Sequence, residues 1–87
     1  MPRRHVVISV HNGVHARPVA ELVRVVQAHR DTVTLQTSSG VVVDLSSVLA
    51  IMDLALAKGD AVVLETAESA GADAVLDTLA GVLDPSR

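Results

Sequence analysis

Between residues 5 and 26 the apolar side chains change their period once, and that change restricts what the chain can become. Residues 5–10, HVVISV, are a β-branched run closed by His11-Asn12-Gly13 in turn chemistry, which predicts a strand. From Ala16 onward Val19, Leu22, Val23 and Val26 recur at i, i+3, i+4 and i+7 and line one face of a helix. Arg17, Glu21 and Arg24 lie on another face, spaced for mutual i,i+4 and i,i+3 pairing. The helix is expected to end near His29-Arg30-Asp31.

The rest of the chain repeats this exchange of periods. Residues 32–37, TVTLQT, alternate strictly, with Val33 and Leu35 inward and the Thr and Gln residues outward. Ser38-Ser39-Gly40 then turns the chain into VVVDL, residues 41–45. Ser46-Ser47 opens a short helix carrying Val48, Leu49, Ile51, Met52 and Leu54, stopped by Lys58-Gly59-Asp60. Residues 61–67, AVVLETA, form another strand. Ala72, Val75, Leu76, Leu79, Val82 and Leu83 then keep helical spacing up to Asp84-Pro85. The predicted order is β-α-β-β-α-β-α. Strands with one buried and one wet face belong to an antiparallel sheet covered by helices on one side, so the fold class is α+β. Eighty-seven residues allow one modest core, hence a single domain over residues 1–87.

Composition excludes several functions. The chain is 49% hydrophobic and 20% charged, a globular balance. It has no Phe, Tyr or Trp, so the core must be aliphatic and no ring is present to stack on a base. With a net charge of −3, this argues against a nucleic-acid partner. The absence of cysteine removes disulfides, thiolate zinc sites and thiol nucleophiles. No apolar run reaches membrane-spanning length, so no membrane insertion is expected. Met1-Pro2-Arg3-Arg4 is basic, but VVISV is too short for a signal-peptide core, and a cytoplasmic location is expected.

His15 is the residue with chemistry to offer. A helix starting at Ala16 presents unpaired N–H groups and the positive end of its dipole, a setting that binds anions and phosphate above all. Pro18 fits the first turn because its missing N–H would have no partner there. Arg17 adds a donor able to make charge-assisted contacts to phosphate oxygens. The same field disfavours the imidazolium, leaving His15 neutral and nucleophilic, and stabilises the anion once the nitrogen is phosphorylated. Gly13 would let the chain turn tightly and leave the ring open to a docking partner. From the residues alone, two readings of His15 stand: this nucleophile, or a tolerated turn residue.

The other polar residues have plain roles to weigh. His11 and His15 are four apart, but Gly13 and the helix start separate them, so no metal site is expected. His5 and His29 read as surface or strand-edge residues, and Asp73 and Asp77 as a solvated helix face. Ser47 is first an N-cap. Leu49, Ile51 and Met52 could serve either the core or an apolar docking patch.

NGVHARPVAEL, residues 12–22, resembles the active-site signature of the HPr family, the histidine-containing phosphocarriers of the phosphoenolpyruvate-dependent sugar phosphotransferase system. Residues 41–64, VVVDLSSVLAIMDLALAKGDAVVL, resemble that family's second signature, a Ser-initiated short helix followed by Gly and a strand. The resemblance covers nearly the whole chain, and the predicted element order is that of the HPr fold. It implies an open-faced β-sandwich, three helices on one face of a four-stranded antiparallel sheet. It implies that His15 is phosphorylated on Nδ1 by enzyme I, which draws the phosphate from phosphoenolpyruvate, and that Arg17 stabilises the phosphate. The phosphoryl group then passes to sugar-specific IIA components during sugar uptake.

Ser47 matches the family's regulatory serine, the target in some bacteria of an ATP-dependent serine kinase and its phosphorylase. Arg24, Val48, Leu49 and Ile51 would contribute to partner docking. The protein implied is a monomeric carrier without a cofactor, consumed and regenerated, and so not an enzyme in the strict sense. Two alternatives stand beside it: a carrier of a parallel branch, in nitrogen-related regulation or dihydroxyacetone phosphorylation, with the same chemistry at His15, and a regulatory protein-binding module that has lost transfer, a kind of homologue in which the histidine is replaced. Retention of His15 with Arg17 ranks the last one lowest. Ser46 stands where relatives often carry a basic residue and Ala50 where many have Gly or Lys, which thins the positive charge of the docking face.

Overall fold

The period changes become seven elements in the computed structural model, which describes residues 1–10 and 16–85. They are β1 (Arg3–Val7), α1 (Ala16–Gln27), β2 (Val33–Thr37), β3 (Val42–Asp44), α2 (Val48–Asp53), β4 (Ala61–Thr66) and α3 (Ala72–Leu83). This is the β-α-β-β-α-β-α order expected. The four strands form one antiparallel sheet in the order β1-β4-β2-β3, with the last strand in sequence placed between β1 and β2.

Register follows from the buried side chains. Leu64 of β4 stands opposite Arg4 of β1 and Leu35 of β2, and Leu35 stands opposite Val43 of β3. Their neighbours Glu65, His5, Gln36 and Val42 point to the other face, so a one-residue slip would expose the core row. On the covered face Val19, Leu22, Val23 and Val26 of α1 meet Leu76, Leu79 and Leu83 of α3 over Val6, Val33, Leu35, Val62 and Leu64. Burying each such side chain is worth roughly 1.5–3 kcal/mol, which is how a core without rings holds together. The one buried polar residue among those described, Thr66, donates its hydroxyl to the Thr32 carbonyl at 2.9 Å.

Several boundaries differ from the sequence reading, each for a tertiary reason. The first strand runs over Arg3–Val7, not 5–10, because its partner β4 begins at Ala61, opposite Val7. Arg3 and Arg4 join it through contacts outside the strand: Arg3 pairs with Glu65 at 2.6 Å and Arg4 with Asp77 of α3. Asp77 is therefore not merely solvated. Ile8 leaves the strand yet stays buried, its N–H donating to the Asp60 carbonyl and its own carbonyl accepting from Gly59.

Helix α1 stops at Gln27, two residues before the expected region. His29 turns inward beside Gly71, the residue before α3, and its Nε2 is buried without a hydrogen-bond partner among the described residues. It is not a plain surface residue. His5, by contrast, is exposed on the edge strand β1.

Helix α2 ends at Asp53 and not at Lys58-Gly59-Asp60. The chain leaves it through Ala55, whose φ of 51° is in the left-handed region, with the N–H groups of Leu54 and Ala55 donating to the Ile51 and Met52 carbonyls. Lys58-Gly59-Asp60 instead forms the turn into β4, where Gly59 takes a φ of 97°.

Candidate functional site

The buried stripe of α1 fixes its rotation. With Val19, Leu22 and Val23 in the core, Arg17, Glu21 and Arg24 are turned to solvent. The first four N–H groups of the helix lack carbonyl partners within it, and Pro18 sits where its missing donor costs no bond. No acidic side chain occupies the first turn, so nothing within that turn offsets the positive end of the dipole. Arg17, the second residue of the helix, makes no ion pair or side-chain hydrogen bond among the described residues, whereas Arg3 and Arg4 both do. A helix start and an exposed guanidinium with no anionic partner among the described residues can accept an anion. His15, His11 and Gly13 lie outside the described residues; in the chain, His15 directly precedes α1.

A second arrangement surrounds the start of α2. Ser47 is its N-cap, in extended conformation, and its Oγ accepts from the Ala50 N–H at 3.2 Å. Its carbonyl accepts from the Ile51 N–H at 3.1 Å. Ser46 faces the other way and donates both its N–H and its hydroxyl to Asp44 Oδ1, each at 2.8 Å. These bonds, the backbone one foremost, hold the Asp44 carboxyl below the ordinary carboxylate value, against a small opposing effect of burial. The sequence reading missed Asp44. The signal was an Asp two residues before a Ser, the spacing at which an Asp side chain bonds the backbone in a turn.

The apolar residues expected to dock a partner divide. Val48 is 43% exposed, Leu49 76% and Met52 48%, and they share one side of the short helix at i, i+1 and i+4. Ile51 is only 1% exposed and packs in the core, so it offers no surface to a partner. Its inclusion in the patch is corrected: a helix of six residues has one inward face, and Ile51 holds it. Met52 takes the outward place. Arg24 is exposed in the last turn of α1, where it also complements the negative end of that helix. Helix α1 packs against α2, bringing the two elements that carry these residues side by side. Among the described residues no three His, Cys, Asp or Glu side chains gather as metal ligands. No helix there is long and apolar enough to cross a membrane.

The same architecture occurs in known proteins. The family model described as the PTS HPr component phosphorylation site matches residues 2–84. The phosphocarrier protein HPr of Streptomyces coelicolor is 35% identical over 80 residues, which span 92% of this chain and 85% of that protein. Among solved structures, the phosphocarrier protein HPr of Bacillus anthracis aligns with a TM-score of 0.83 at 28% identity, covering 94% of this chain and 95% of its own. HPr-C-His of Thermoanaerobacter tengcongensis gives 0.84 at 23% identity, with 97% and 92% covered, a likeness of fold.

Proposed function

The chain belongs to the HPr family of phosphotransferase-system phosphocarriers, and on that premise we propose that His15 is the residue on which it carries the phosphoryl group. The observation that supports this reading is the start of α1: a helix beginning at Ala16, an exposed Arg17 without a partner among the described residues and no carboxylate in its first turn. In this proposal enzyme I, charged from phosphoenolpyruvate, is the donor, and a IIA component of sugar uptake is the acceptor. The exchange takes place in the cytoplasm.

The chemistry assigned to each group follows from its charge. In this proposal the imidazole reacts in its neutral form, with a lone pair on Nδ1. That lone pair forms the new bond to phosphorus as the donor's bond to phosphorus breaks, and the donor departs with its electron pair. The product is an anion at the mouth of α1, where the orphan N–H groups and the dipole favour it. Arg17 adds bidentate, charge-assisted bonds to the phosphoryl oxygens. Transfer to the acceptor reverses the same steps, so the chain is regenerated unchanged. Val48, Leu49 and Met52 supply the apolar surface that a partner covers, and Arg24 a charge at its margin.

Ser47 is assigned a regulatory part. Phosphate on its hydroxyl would sit at a helix start, where a dianion is tolerated, but beside the patch that a partner must approach. The test of the carrier reading is incubation with phosphoenolpyruvate and purified enzyme I, followed by mass analysis. One added phosphoryl group, labile to acid and stable to base, is expected, and none on His15→Ala. Equal labelling of the His15→Ala protein would remove the proposal.

A further inference from the structure

The stripe Arg17, Glu21 and Arg24 contains one charge that the carrier reading does not use. All three residues are exposed, at i, i+4 and i+7 along a single helix face. Glu21 is the sole carboxylate in α1. Elsewhere, Arg3 and Arg4 are neutralised by carboxylates from other elements, Glu65 of β4 and Asp77 of α3. Glu21 instead stands between two guanidiniums of its own helix, and among the described residues it is bonded to neither. Four residues of helix rise about 6 Å, close enough for its charge to act on Arg17 without a fixed bond.

We propose that Glu21 is a positioning residue for phosphoryl transfer, competing with the phosphoryl oxygens for Arg17 so that the group is held but remains transferable. The inference rests on His15 being the phosphoryl site. A carrier must release what it accepts, and an uncontested guanidinium at the mouth of α1 would stabilise only the loaded form. The order of the charges suits the exchange. With Arg before Glu, Arg17 and Glu21 have the weaker i,i+4 orientation, so Arg17 leaves readily for the phosphoryl group. Arg24 is then available to Glu21 at i+3, with Glu first, the better orientation. Glu21 makes and breaks no covalent bond; it shifts the balance between the free and phosphorylated forms.

The test is the equilibrium distribution of phosphoryl groups between enzyme I and this protein. Glu21→Gln should raise the equilibrium constant toward the phosphorylated form about two- to fivefold at low salt, as for exposed charges at this separation. The gain should shrink as salt rises. Glu21→Asp, which keeps the charge, should remain nearer the wild type. In an Arg17→Ala background, Glu21→Gln should change nothing further. A wild-type equilibrium in Glu21→Gln overturns the inference. So does an equal shift without Arg17, which would mean that the carboxylate acts on the phosphoryl group directly. These results differ from failure of the carrier reading, in which the wild-type protein itself takes no phosphoryl group and both proposals go.

Discussion

Ser46 gives both its N–H and its hydroxyl to a single oxygen of Asp44, each at 2.8 Å, and so ties the end of β3 to the start of α2. The bonds favour the carboxylate, and the folded pKa of Asp44 lies below its ordinary value of 3.8. Its contribution to stability is then fully present above that value and lost as pH falls through the lower folded pKa. Wild type should melt above Asp44→Asn at neutral pH, with the gap closing as the solution is acidified below 3.8. A gap that stays constant or widens on acidification would contradict the assignment. Thermal melts across an acid series decide it.

Ser47 caps α2 through the Ala50 N–H, so Ser47→Ala should cost about 1 kcal/mol. For a domain of this size that is a fall in Tm of roughly 4–8 °C. Ser47→Asp keeps an acceptor and adds a favourable charge at the helix start, so its Tm should lie near or above that of Ser47→Ala. The same variant should receive phosphate from enzyme I more slowly, less so at high salt. Unimpaired transfer at all salt concentrations would leave Ser47 as a cap alone.

Arg17 is exposed and holds no other residue described, so Arg17→Ala should leave Tm nearly unchanged. Loss of its charge-assisted bonds should slow loading of the chain roughly ten- to a hundredfold if they are already made in the transition state and kept in the loaded form. Arg17→Lys should recover part of the rate, since it keeps the charge and loses the fork. Stopped-flow rates at wild-type level in both variants would assign the phosphate cradle to backbone N–H groups.

Ile51 and Leu49 should separate stability from docking. Ile51→Ala opens the core and should cost about 2–5 kcal/mol, read by denaturant unfolding. Leu49→Ala removes exposed surface and should barely move the midpoint, while raising the KM for transfer. A large loss of stability in Leu49→Ala would mean that the exposed patch is structural.

Ala55 holds a left-handed φ of 51° at the exit of α2. That conformation costs an L-residue roughly 1–2 kcal/mol, and a glycine there avoids the cost while adding about 0.4–1 kcal/mol of unfolded-state freedom. Ala55→Gly should therefore stabilise the protein by up to about 1.6 kcal/mol. Calorimetry showing a lower Tm would overturn this.

The order of the elements was legible from residue spacing because it depends on local periodicity. Val19, Leu22, Val23 and Val26 read as one helix face and became one, and Val33 and Leu35 alternated inward as β2 required. The cap at Ser47 was equally local, an oxygen and an N–H three residues apart. The family likeness was legible for the same reason: its signature is a short contiguous run about the start of α1. A helix of six residues was less legible, since Val48, Leu49, Ile51 and Met52 give too few turns to show which of them faces in.

Tertiary structure alone decided the remaining features, because each depends on residues far apart in the chain. Nothing in the spacing of residues 61–67 places β4 between β1 and β2, yet that position sets where β1 begins and ends. Arg4 and Asp77 are 73 residues apart and pair because β1 and α3 pack together. His29 is drawn in by the approach of Gly71, and Ile51 by the aliphatic core beneath α2. Periodicity along a chain says which side of an element is apolar; only the packing of the other elements says what covers it.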